Sequence, residues 1–249
     1  MVKGVSIKFQ SYSETIPKLL QLIKLDKELK KHDKIVLKPS LRDISSKNTK
    51  KEFTEAVLKY CLENKNPVAE VFIAEGSDGE GTEEVYEKEG YKELAEKYGI
   101  GLVDLNSSEV EEFDREFLKF SNIKYPKILL EGFVISLPYL AVDEETDITG
   151  SLANMLGAFP AKHYSGWFSS KKNKIRQWPI KFAIHDILKC KMPELAIIDA
   201  SDRGIILAGQ PLEIDKQAAK LIGLDWKNVR YLRLVDESFM PVEEDKIEA

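Results

Sequence analysis

Short apolar segments alternate with amphipathic segments along roughly the first hundred residues of this chain. Between the apolar segments, apolar side chains recur at helical spacing, most clearly from Glu14 to Lys31 and from Thr49 to Asn64. Parallel strands need a crossover, usually a helix, to bring the chain back to the same end of the sheet. The pattern therefore predicts an α/β fold with a mainly parallel sheet and helices on both faces. The predicted strands of this region are VSIKF, KIVLKP, AEVFIAE and IGLVDL.

The alternation ends after Asn106, where apolar segments follow one another too closely for helices to fit between them. Strands joined by short connections must pair antiparallel. We therefore expect an antiparallel insertion around residues 112–137, in the middle of the chain, and its edge is a candidate surface for a homodimer. The segments concerned are REFLKF, KILLEGF and VISLPYL; beyond them, the strands LAIIDA and GIILAG and a helix from Pro179 to Lys191 are predicted.

Length and composition are those of an ordinary globular protein. Of the 249 residues 43% are hydrophobic, which argues against disorder, and the chain is long enough for a domain with a real core. With the alternating pattern, we expect one α/β domain over residues 1–241 and a flexible tail at 242–249. A division of that domain into two lobes, 1–110 and 111–241, is left open. Charged residues make up 32% of the chain, mostly Lys and Glu, as is typical of heat-adapted surfaces. The net charge of -5 argues against a general nucleic-acid binder.

Cysteine content and the N-terminus indicate the class of protein. Cys61 and Cys190 are the only cysteines, too few for an iron–sulfur cluster held by four thiolates, so no intrinsic cluster is expected. Both thiols are predicted to be reduced and buried. The start, MVKGVSIKFQ, lacks the apolar core of a signal peptide, and no apolar run approaches the roughly 18 residues of a membrane helix. A cytoplasmic protein without a membrane partner is the expectation.

A lysine stands near the end of the second predicted strand, in KIVLKPSL. The carboxyl ends of parallel strands face the ligand crevice of an open α/β sheet. Lys38 there could anchor an anion such as a carboxylate or phosphate, and Ser40 could provide a second contact. Lys38 is also a candidate catalytic residue. The competing interpretation is a solvated lysine at a strand end.

The third predicted strand runs into a glycine-rich turn, AEGSDGEGTEE. Its spacing is neither the dinucleotide-binding fingerprint nor a P-loop. The turn could still contact a ligand, with Glu75 and Ser77 as candidates. Glu75 and Asp78 are also candidates for holding a divalent cation, since hard cations prefer oxygen ligands. A turn and helix start without a ligand is the alternative interpretation, because acids are favourable near a helix N-terminus.

Six basic residues and no acidic ones occur between Lys162 and Lys181, with aromatic residues among them. Cations with aromatics can bind nucleic acid through charge and stacking, although the acidic net charge disfavours this. The stretch can equally be a lid over a small bound anion, or a surface loop whose aromatics pack on the body. Lys162 is the candidate ligand contact of this stretch, and His163 the candidate for acid–base work because imidazole titrates near neutral pH.

Two acids complete the set of candidate residues. Asp199 ends the predicted strand LAIIDA and is a catalytic candidate, and Asp215 lies just inside the helix predicted after Pro211 and is a ligand-binding candidate. Both could meet Lys38 at one edge of the sheet. Alternatively they are simply a strand-end acid and a first-turn helix acid.

Taken in order, several segments resemble the family named domain of unknown function 362. They are VLKPSL, AEGSDGEGT, KEGYKELAEKYGIGLVDLN, VISLPYL, LANMLGAFP, HDILKCKMPELAIIDA and LAGQPLEIDKQAAKLIGLD, within residues 33–230. The family has no settled general activity, so the resemblance implies a fold and a site location and not a reaction. It carries over to Lys38, Glu75, Asn154, Gly157, Asp199 and Asp215, and it makes Asn154 a further ligand-binding candidate.

The chain departs from the family pattern where the family usually has Lys-x-Lys-Thr-His. Tyr139, Ala141, Val142 and Asp143 stand there instead, and Ala153 replaces a frequent lysine. Ferredoxin-like cysteine motifs of many relatives are missing as well. The leading hypothesis is a protein that binds a small anionic metabolite at the strand ends, with catalysis left open. The alternative is a non-catalytic accessory or interaction protein, for example of a redox or metal-cofactor system.

Overall fold

Seven strands form the central sheet of the computed structural model, which describes residues 3–79, 81–166 and 169–239. Four further short strands form two separate hairpins. In chain order the strands are β1 (Gly4–Lys8), β2 (Lys34–Pro39), β3 (Glu70–Glu75), β4 (Gly101–Asp104), β5 (Val110–Phe113), β6 (Ile123–Pro126), β7 (Phe133–Leu137), β8 (Val142–Asp143), β9 (Asp147–Ile148), β10 (Leu195–Ala200) and β11 (Ile205–Gly209).

Helices occupy most of the connections between these strands. The α-helices are α1 (Tyr12–Leu22), α2 (Leu25–Leu29), α3 (Lys51–Asn64), α4 (Thr82–Lys88), α5 (Tyr91–Tyr98), α6 (Lys127–Glu131), α7 (Ala161–Tyr164), α8 (Lys181–Cys190), α9 (Pro211–Leu221) and α10 (Arg230–Phe239). Short 3-10 helices cover Ala153–Ala158, Asn173–Arg176, Ser201–Arg203 and Trp226–Asn228.

The strand order of the sheet is β1-β11-β10-β7-β2-β3-β4. The pairs from β10 through β7, β2 and β3 to β4 are all parallel. Strand β11 runs in the opposite direction and pairs antiparallel with β10 and β1. The chain proceeds outward from β2 to β4 and then returns to the other side of β2 as β7. The order therefore reverses between β2 and β7, and at such a switch point the loops leave the strand ends in opposite directions and open a crevice.

Both faces of the sheet are covered by helices, which confirms the predicted fold class. Leu37 and Ile135 contribute to one core with α1 to α5. Val36 and Val134, one residue earlier on the same strands, contribute to the opposite core with α6, α8 and α10. This alternation follows from the pleat of a strand, which directs successive side chains to opposite faces.

Two helices predicted as continuous are each broken in two. The one expected from Glu14 to Lys31 stops between α1 and α2 at Lys24, whose φ is 57°. The second, predicted after the glycine turn from Thr82 to Tyr98, breaks at Gly90, whose φ is 74°. A residue in the left-handed region ends a helical turn, and glycine adopts it at little cost. The apolar spacing continues across each break, so periodicity alone did not reveal them.

The antiparallel insertion exists, but it contains different segments from those expected. β5 and β6 form the hairpin, pairing Val110 with Pro126 and Phe113 with Ile123. The segment KILLEGF was predicted as a strand, and this was wrong because it forms α6. The segment VISLPYL contributes β7, a parallel strand in the middle of the main sheet that is buried throughout. Continuous burial on both faces is typical of a central parallel strand.

The described residues test only some of the remaining predictions. Both cysteines are free and buried, as expected. None of the helices in the described part of the chain combines the length and apolar composition that crossing a bilayer requires. The tail 242–249 lies outside the described residues. The division into lobes, the homodimer and the cytoplasmic location stay predictions.

Candidate functional site

A small pocket lies at the carboxyl ends of β2 and β3, beside the switch point. Its volume is about 80 Å³, room for a few water molecules or one small acid. The loops after β2, β3 and β7 and the 3-10 helix Asn173–Arg176 enclose it. Its polar lining includes Ser40, Arg42, Glu75, Asp78, Asp143, Asn154, Lys172 and Arg176, and its apolar lining includes Leu41, Ala153, Leu156 and Ile175.

The Lys38 ammonium lies buried beside this pocket, and the protein itself provides its partners. Its Nζ donates to both carboxylate oxygens of Glu75 at 2.8 and 2.9 Å. It also reaches the carbonyl oxygen of Asn154 at 2.7 Å and the Asn154 Oδ1 at 3.2 Å. Both charged side chains are almost wholly buried, with 0% and 3% exposure. The structure thus brings together three of the residues that the sequence singled out.

This arrangement uses every hydrogen-bond donor of Lys38. An ammonium has three N–H groups, and four acceptors surround this one within hydrogen-bond distance. Burial lowers the pKa of Lys38 below its usual range, while the charge of Glu75 opposes that shift. A ligand would have to displace Glu75 or Asn154 to contact Lys38 directly. Lys38 therefore acts on the pocket mainly by orienting Glu75 and Asn154.

Asn154 is held from both sides of its amide. Its Nδ2 donates to the Lys38 carbonyl oxygen at 2.9 Å and to Ser136 Oγ at 3.0 Å. Gly157, on the same 3-10 helix, packs directly against the ion pair. A Cβ at this position would overlap Glu75 Oε1 and approach Lys38 Nζ to 2.6 Å. Glycine is required there because the backbone passes so close to the buried charges.

Lys172 is a second buried lysine, and reasoning from the sequence did not single it out. Its Nζ donates to the carbonyl oxygens of Gly76 at 2.7 Å and Gly157 at 3.2 Å, and the residue is 1% exposed. Burial lowers the pKa of Lys172 to about 7, although Glu75 and Asp78 oppose the shift. The only sequence signal was its place in the basic stretch, which does not distinguish it from its exposed neighbour Lys171.

Replacing Lys172 with methionine is expected to change how stability depends on pH. Between about pH 7 and 10.5 the unfolded chain keeps a proton on Lys172 that the folded chain has lost. Stability of the native protein therefore rises with pH across this window, by up to about 1.4 kcal/mol per pH unit from this group. Urea denaturation from pH 6.5 to 10 measures the slope. Lys172→Met should lose this contribution and the exposed control Lys171→Met should keep it; equal slopes in both would contradict the assignment.

Two arginines lie on the outer side of the pocket, and each forms ion pairs with two carboxylates. Arg42 donates to Asp143 at 2.9 Å and to Glu145 at 2.6 Å. Arg176 donates to Glu145 at 2.7 Å and to Asp78 at 2.5 Å. Burial acts to raise the pKa of Asp78, but the Lys172 backbone N–H and Arg176 hold it below its usual range. The guanidinium groups thus lie at the pocket mouth, connected by Glu145.

The two serines predicted as ligand contacts differ in availability. Ser40 lines the pocket, and its hydroxyl has no hydrogen-bond partner within the described ranges. Ser77 is buried, and its hydroxyl donates to the Leu41 carbonyl oxygen at 2.8 Å, which joins the two loops. Ser40 therefore offers a free donor to the pocket and Ser77 does not.

Lys162 and His163 do not line this pocket. They belong to α7, Lys162 is exposed, and His163 contributes to a separate surface groove. Among the described residues of the basic stretch, those that reach the pocket are Lys172, Ile175 and Arg176. Part of the stretch thus covers the pocket while another part faces away from it.

The two predicted acids lie in other hydrogen-bond clusters. Asp199 accepts from the Tyr12 hydroxyl at 2.7 Å and from the Ser201 backbone N–H at 2.9 Å. Asp215 accepts from Ser151 and Leu152, which precede the 3-10 helix that carries Asn154. Neither acid hydrogen-bonds Lys38, so the expected meeting of the three charges does not occur. Asp215 supports the site by holding the loop that positions Asn154.

The two residues considered for a divalent cation already accept hydrogen bonds from nitrogen donors. Glu75 accepts from Lys38, and from the backbone N–H of Gly76 at 2.8 Å. Asp78 accepts from Arg176 and from the backbone N–H of Lys172. Within residues 3–79, 81–166 and 169–239 no three His, Cys, Asp or Glu side chains cluster in a way that could hold a metal ion. In this conformation the Glu75 and Asp78 oxygens are directed at cations of the protein itself.

Fold and site together define an α/β protein with a charged pocket at the topological switch point of a mainly parallel sheet. The family described as Domain of unknown function (DUF362) matches residues 35–215, and the chain belongs to this family. The matched range begins on β2 and ends at Asp215, so it includes every strand of the sheet except β1. No curated protein matches the chain.

Proposed function

We propose that this protein binds a small organic acid, as its carboxylate anion, in the pocket between the ends of β2 and β3. The observation that carries the proposal is the convergence of Lys172, Arg176 and the free hydroxyl of Ser40 on one small pocket at the switch point. Arginine pairs with carboxylates through two parallel hydrogen bonds, and Arg176 already does so with Glu145. An incoming carboxylate would take the place of Glu145.

Charge and lining favour a carboxylate over a phosphate. Glu75, Asp78 and Asp143 also line the pocket, and they would repel a doubly charged phosphate more than a singly charged carboxylate. Leu156 and Ile175 offer apolar contact to a short carbon skeleton. The volume of about 80 Å³ limits that skeleton to a few carbon atoms. The same pocket would serve a binding protein or an enzyme acting on the acid.

Binding of such an acid is expected to weaken above neutral pH. Since the pKa of Lys172 is lowered to about 7, this lysine is charged at pH 6 and largely neutral at pH 8.5. An anion favours the charged form, so binding takes up a proton and becomes weaker as pH rises. Calorimetric titration with a panel of two- to six-carbon carboxylic acids, at pH 6 and pH 8.5, measures this dependence.

Variants identify the pocket as the place of binding. Arg176→Gln should weaken the best acid about tenfold or more, because it removes a bidentate partner. Arg203→Gln removes an exposed arginine of the 3-10 helix Ser201–Arg203 and should leave affinity unchanged. Ser40→Ala removes a donor without disturbing an internal hydrogen bond. The proposal fails if no acid of the panel binds at millimolar concentration, or if Arg176→Gln binds as tightly as the native protein.

A second candidate is a non-catalytic accessory protein, and one observation favours it. The donors of Lys38 and Asn154 are all used in hydrogen bonds within the protein, so the deepest polar groups offer no free donor to a ligand. Joining the loops after β2, β3 and β7 would be a sufficient role for such a cluster, without any ligand. Native mass spectrometry of the purified protein distinguishes the two: a retained small acid favours the first function, and a co-purifying protein partner without one favours the second.

A further inference from the structure

A second groove lies outside the pocket and shares no lining residue with it. We call it the basic groove; it is lined by Lys119, Asn122, Lys124, His163, Lys174 and Trp178, among others. Three parts of the chain build it: the loop before β6, the end of α7, and the 3-10 helix Asn173–Arg176 with the residues after it. Its volume is about 400 Å³, within the range of small-molecule sites and well above that of the pocket.

Unpaired positive charge is the first distinguishing feature of the basic groove. In the described part of the chain, Lys119, Lys124 and Lys174 form no ion pair with a carboxylate, whereas the arginines of the pocket are all paired. Burial lowers the pKa of His163, and Lys124, Lys162 and Lys174 lower it further, with Glu112 opposing. Several cations therefore act on one point of the groove. Their mutual repulsion is relieved when an anion binds among them.

An exposed tryptophan is the second feature. Trp178 is 38% exposed, and its ring meets that of Phe120 at 6.0 Å in an edge contact. Phe120 in turn packs on Phe159 and Tyr164, so the wall that carries Trp178 is anchored in the core. A large aromatic surface that stays accessible beside cations is suited to stacking on a planar ring. Asn122 adds an exposed amide without a side-chain hydrogen bond among the residues described.

From these two features we propose that the basic groove binds a nucleoside di- or triphosphate, with the phosphates among Lys119, Lys124 and Lys174 and the base against Trp178. Charge and stacking act on different parts of such a ligand, and the lining of the groove offers both. A longer nucleic acid is disfavoured because acidic residues flank the groove. Glu112 lies directly across the β5–β6 hairpin from Lys124, and Glu111 and Glu116 are exposed nearby in sequence.

Calorimetric titration with ATP tests the proposal. The double variant Lys124→Ala/Lys174→Ala should bind ATP at least tenfold more weakly, and Trp178→Ala about fivefold more weakly. The double variant Lys27→Ala/Lys30→Ala removes the same charge from exposed positions on α2 and directly after it, under the opposite face of the sheet, and should bind as the native protein does. Native affinity should fall as salt concentration rises.

Three further probes are titrated. Pyrophosphate and adenosine test the phosphate and base parts of the ligand separately, and a twenty-base oligothymidine tests for single-stranded nucleic acid. Pyrophosphate binding should respond to the lysine variant and not to Trp178→Ala, and adenosine binding should show the reverse. The proposal is overturned if ATP affinity is unaffected by Lys124→Ala/Lys174→Ala, or if pyrophosphate binds as tightly as ATP and Trp178→Ala changes nothing. Tighter binding of the oligothymidine than of ATP would also overturn it, in favour of a single-stranded nucleic acid.

Discussion

Loss of either partner of the buried Lys38–Glu75 pair is expected to lower the free energy of unfolding by about 3–5 kcal/mol. In Lys38→Met the Glu75 carboxylate stays buried without its cation, at 2% exposure. In Glu75→Leu the ammonium keeps only the oxygens of Asn154, and the backbone N–H groups of Leu41 and Gly76 lose their acceptor. A buried charge without its partner is costly because little solvent is present to stabilise it.

A double-mutant cycle measures the coupling. The variant Lys38→Met/Glu75→Leu should lose clearly less than the sum of the two single losses, because the second substitution removes the charge that the first left unpaired. Lys31→Met breaks an exposed pair with Glu28 and should cost less than about 1 kcal/mol. Urea denaturation of all four variants gives the values. Additive losses, or single losses below about 1 kcal/mol, would show that the buried pair is not an interacting unit.

Because Lys38 is part of a buried pair, substitutions of Lys38 are poor tests of ligand binding. A lysine at a strand end that points to solvent can be removed without effect on folding, and its loss then reports on the ligand alone. Lys38 is buried and has 0% exposure, so its removal disturbs Glu75 and Asn154 as well. Arg176 and Ser40 are therefore better probes of ligand binding than Lys38.

The second large effect is expected at Asp215. Its carboxylate accepts from Ser151 N at 2.7 Å, Ser151 Oγ at 2.7 Å, Leu152 N at 3.0 Å and the Tyr231 hydroxyl at 3.1 Å, with no exposure to solvent. Asp215→Ala leaves these donors buried without an acceptor, at roughly 1–3 kcal/mol for each that finds no new partner. A loss of about 3 kcal/mol or more is expected in urea denaturation at pH 7.

The matched control is Asp225→Ala, which removes one exposed hydrogen bond to the Lys227 backbone N–H and should cost about 1 kcal/mol or less. Burial raises the pKa of Asp215 from 3.8 to about 6. Between these values the folded chain holds a proton that the unfolded chain has lost, so this group makes the native protein less stable as pH rises from 4 to 6. Asp215→Asn should lose that slope. If Asp215→Ala lowers the free energy of unfolding by less than about 1 kcal/mol, Asp215 does not anchor the loop at Ser151 and Leu152.

The local hydrophobic pattern was sufficient to predict the two strands that carry Lys38 and Glu75. KIVLKP and AEVFIAE are apolar runs bounded by breakers, and both form strands where predicted. Their parallel pairing places Lys38 and Glu75 at the same edge, as expected of parallel strands. The error at VISLPYL has a related cause, because an apolar run shows that a strand is buried but not which strand it pairs with.

Long-range packing decided the rest of the site. Burial by segments distant along the chain lowers the pKa of Lys172, and its Nζ donates to carbonyl groups 96 and 15 residues away. No local spacing distinguishes Lys172 from its neighbours. The same packing separates Asp199 and Asp215 from Lys38, although all three lie near strand or helix ends. It also directs His163 into the basic groove and Arg176 into the pocket at the ends of β2 and β3, although the two residues are thirteen positions apart in one stretch.

The sequence by itself determined the α/β class, the sheet edge at which the site lies, and the presence of a lysine and a glutamate there. These follow from hydrophobic period and strand direction, which are local properties of the chain. Only the tertiary structure decided that the Lys38 ammonium hydrogen-bonds Glu75 and Asn154 and not a ligand. It also decided that Lys172, Arg176 and Ser40 line the pocket. The reason is that hydrogen-bond partners and burial are set by segments that meet only after folding, here through a bond spanning 116 residues.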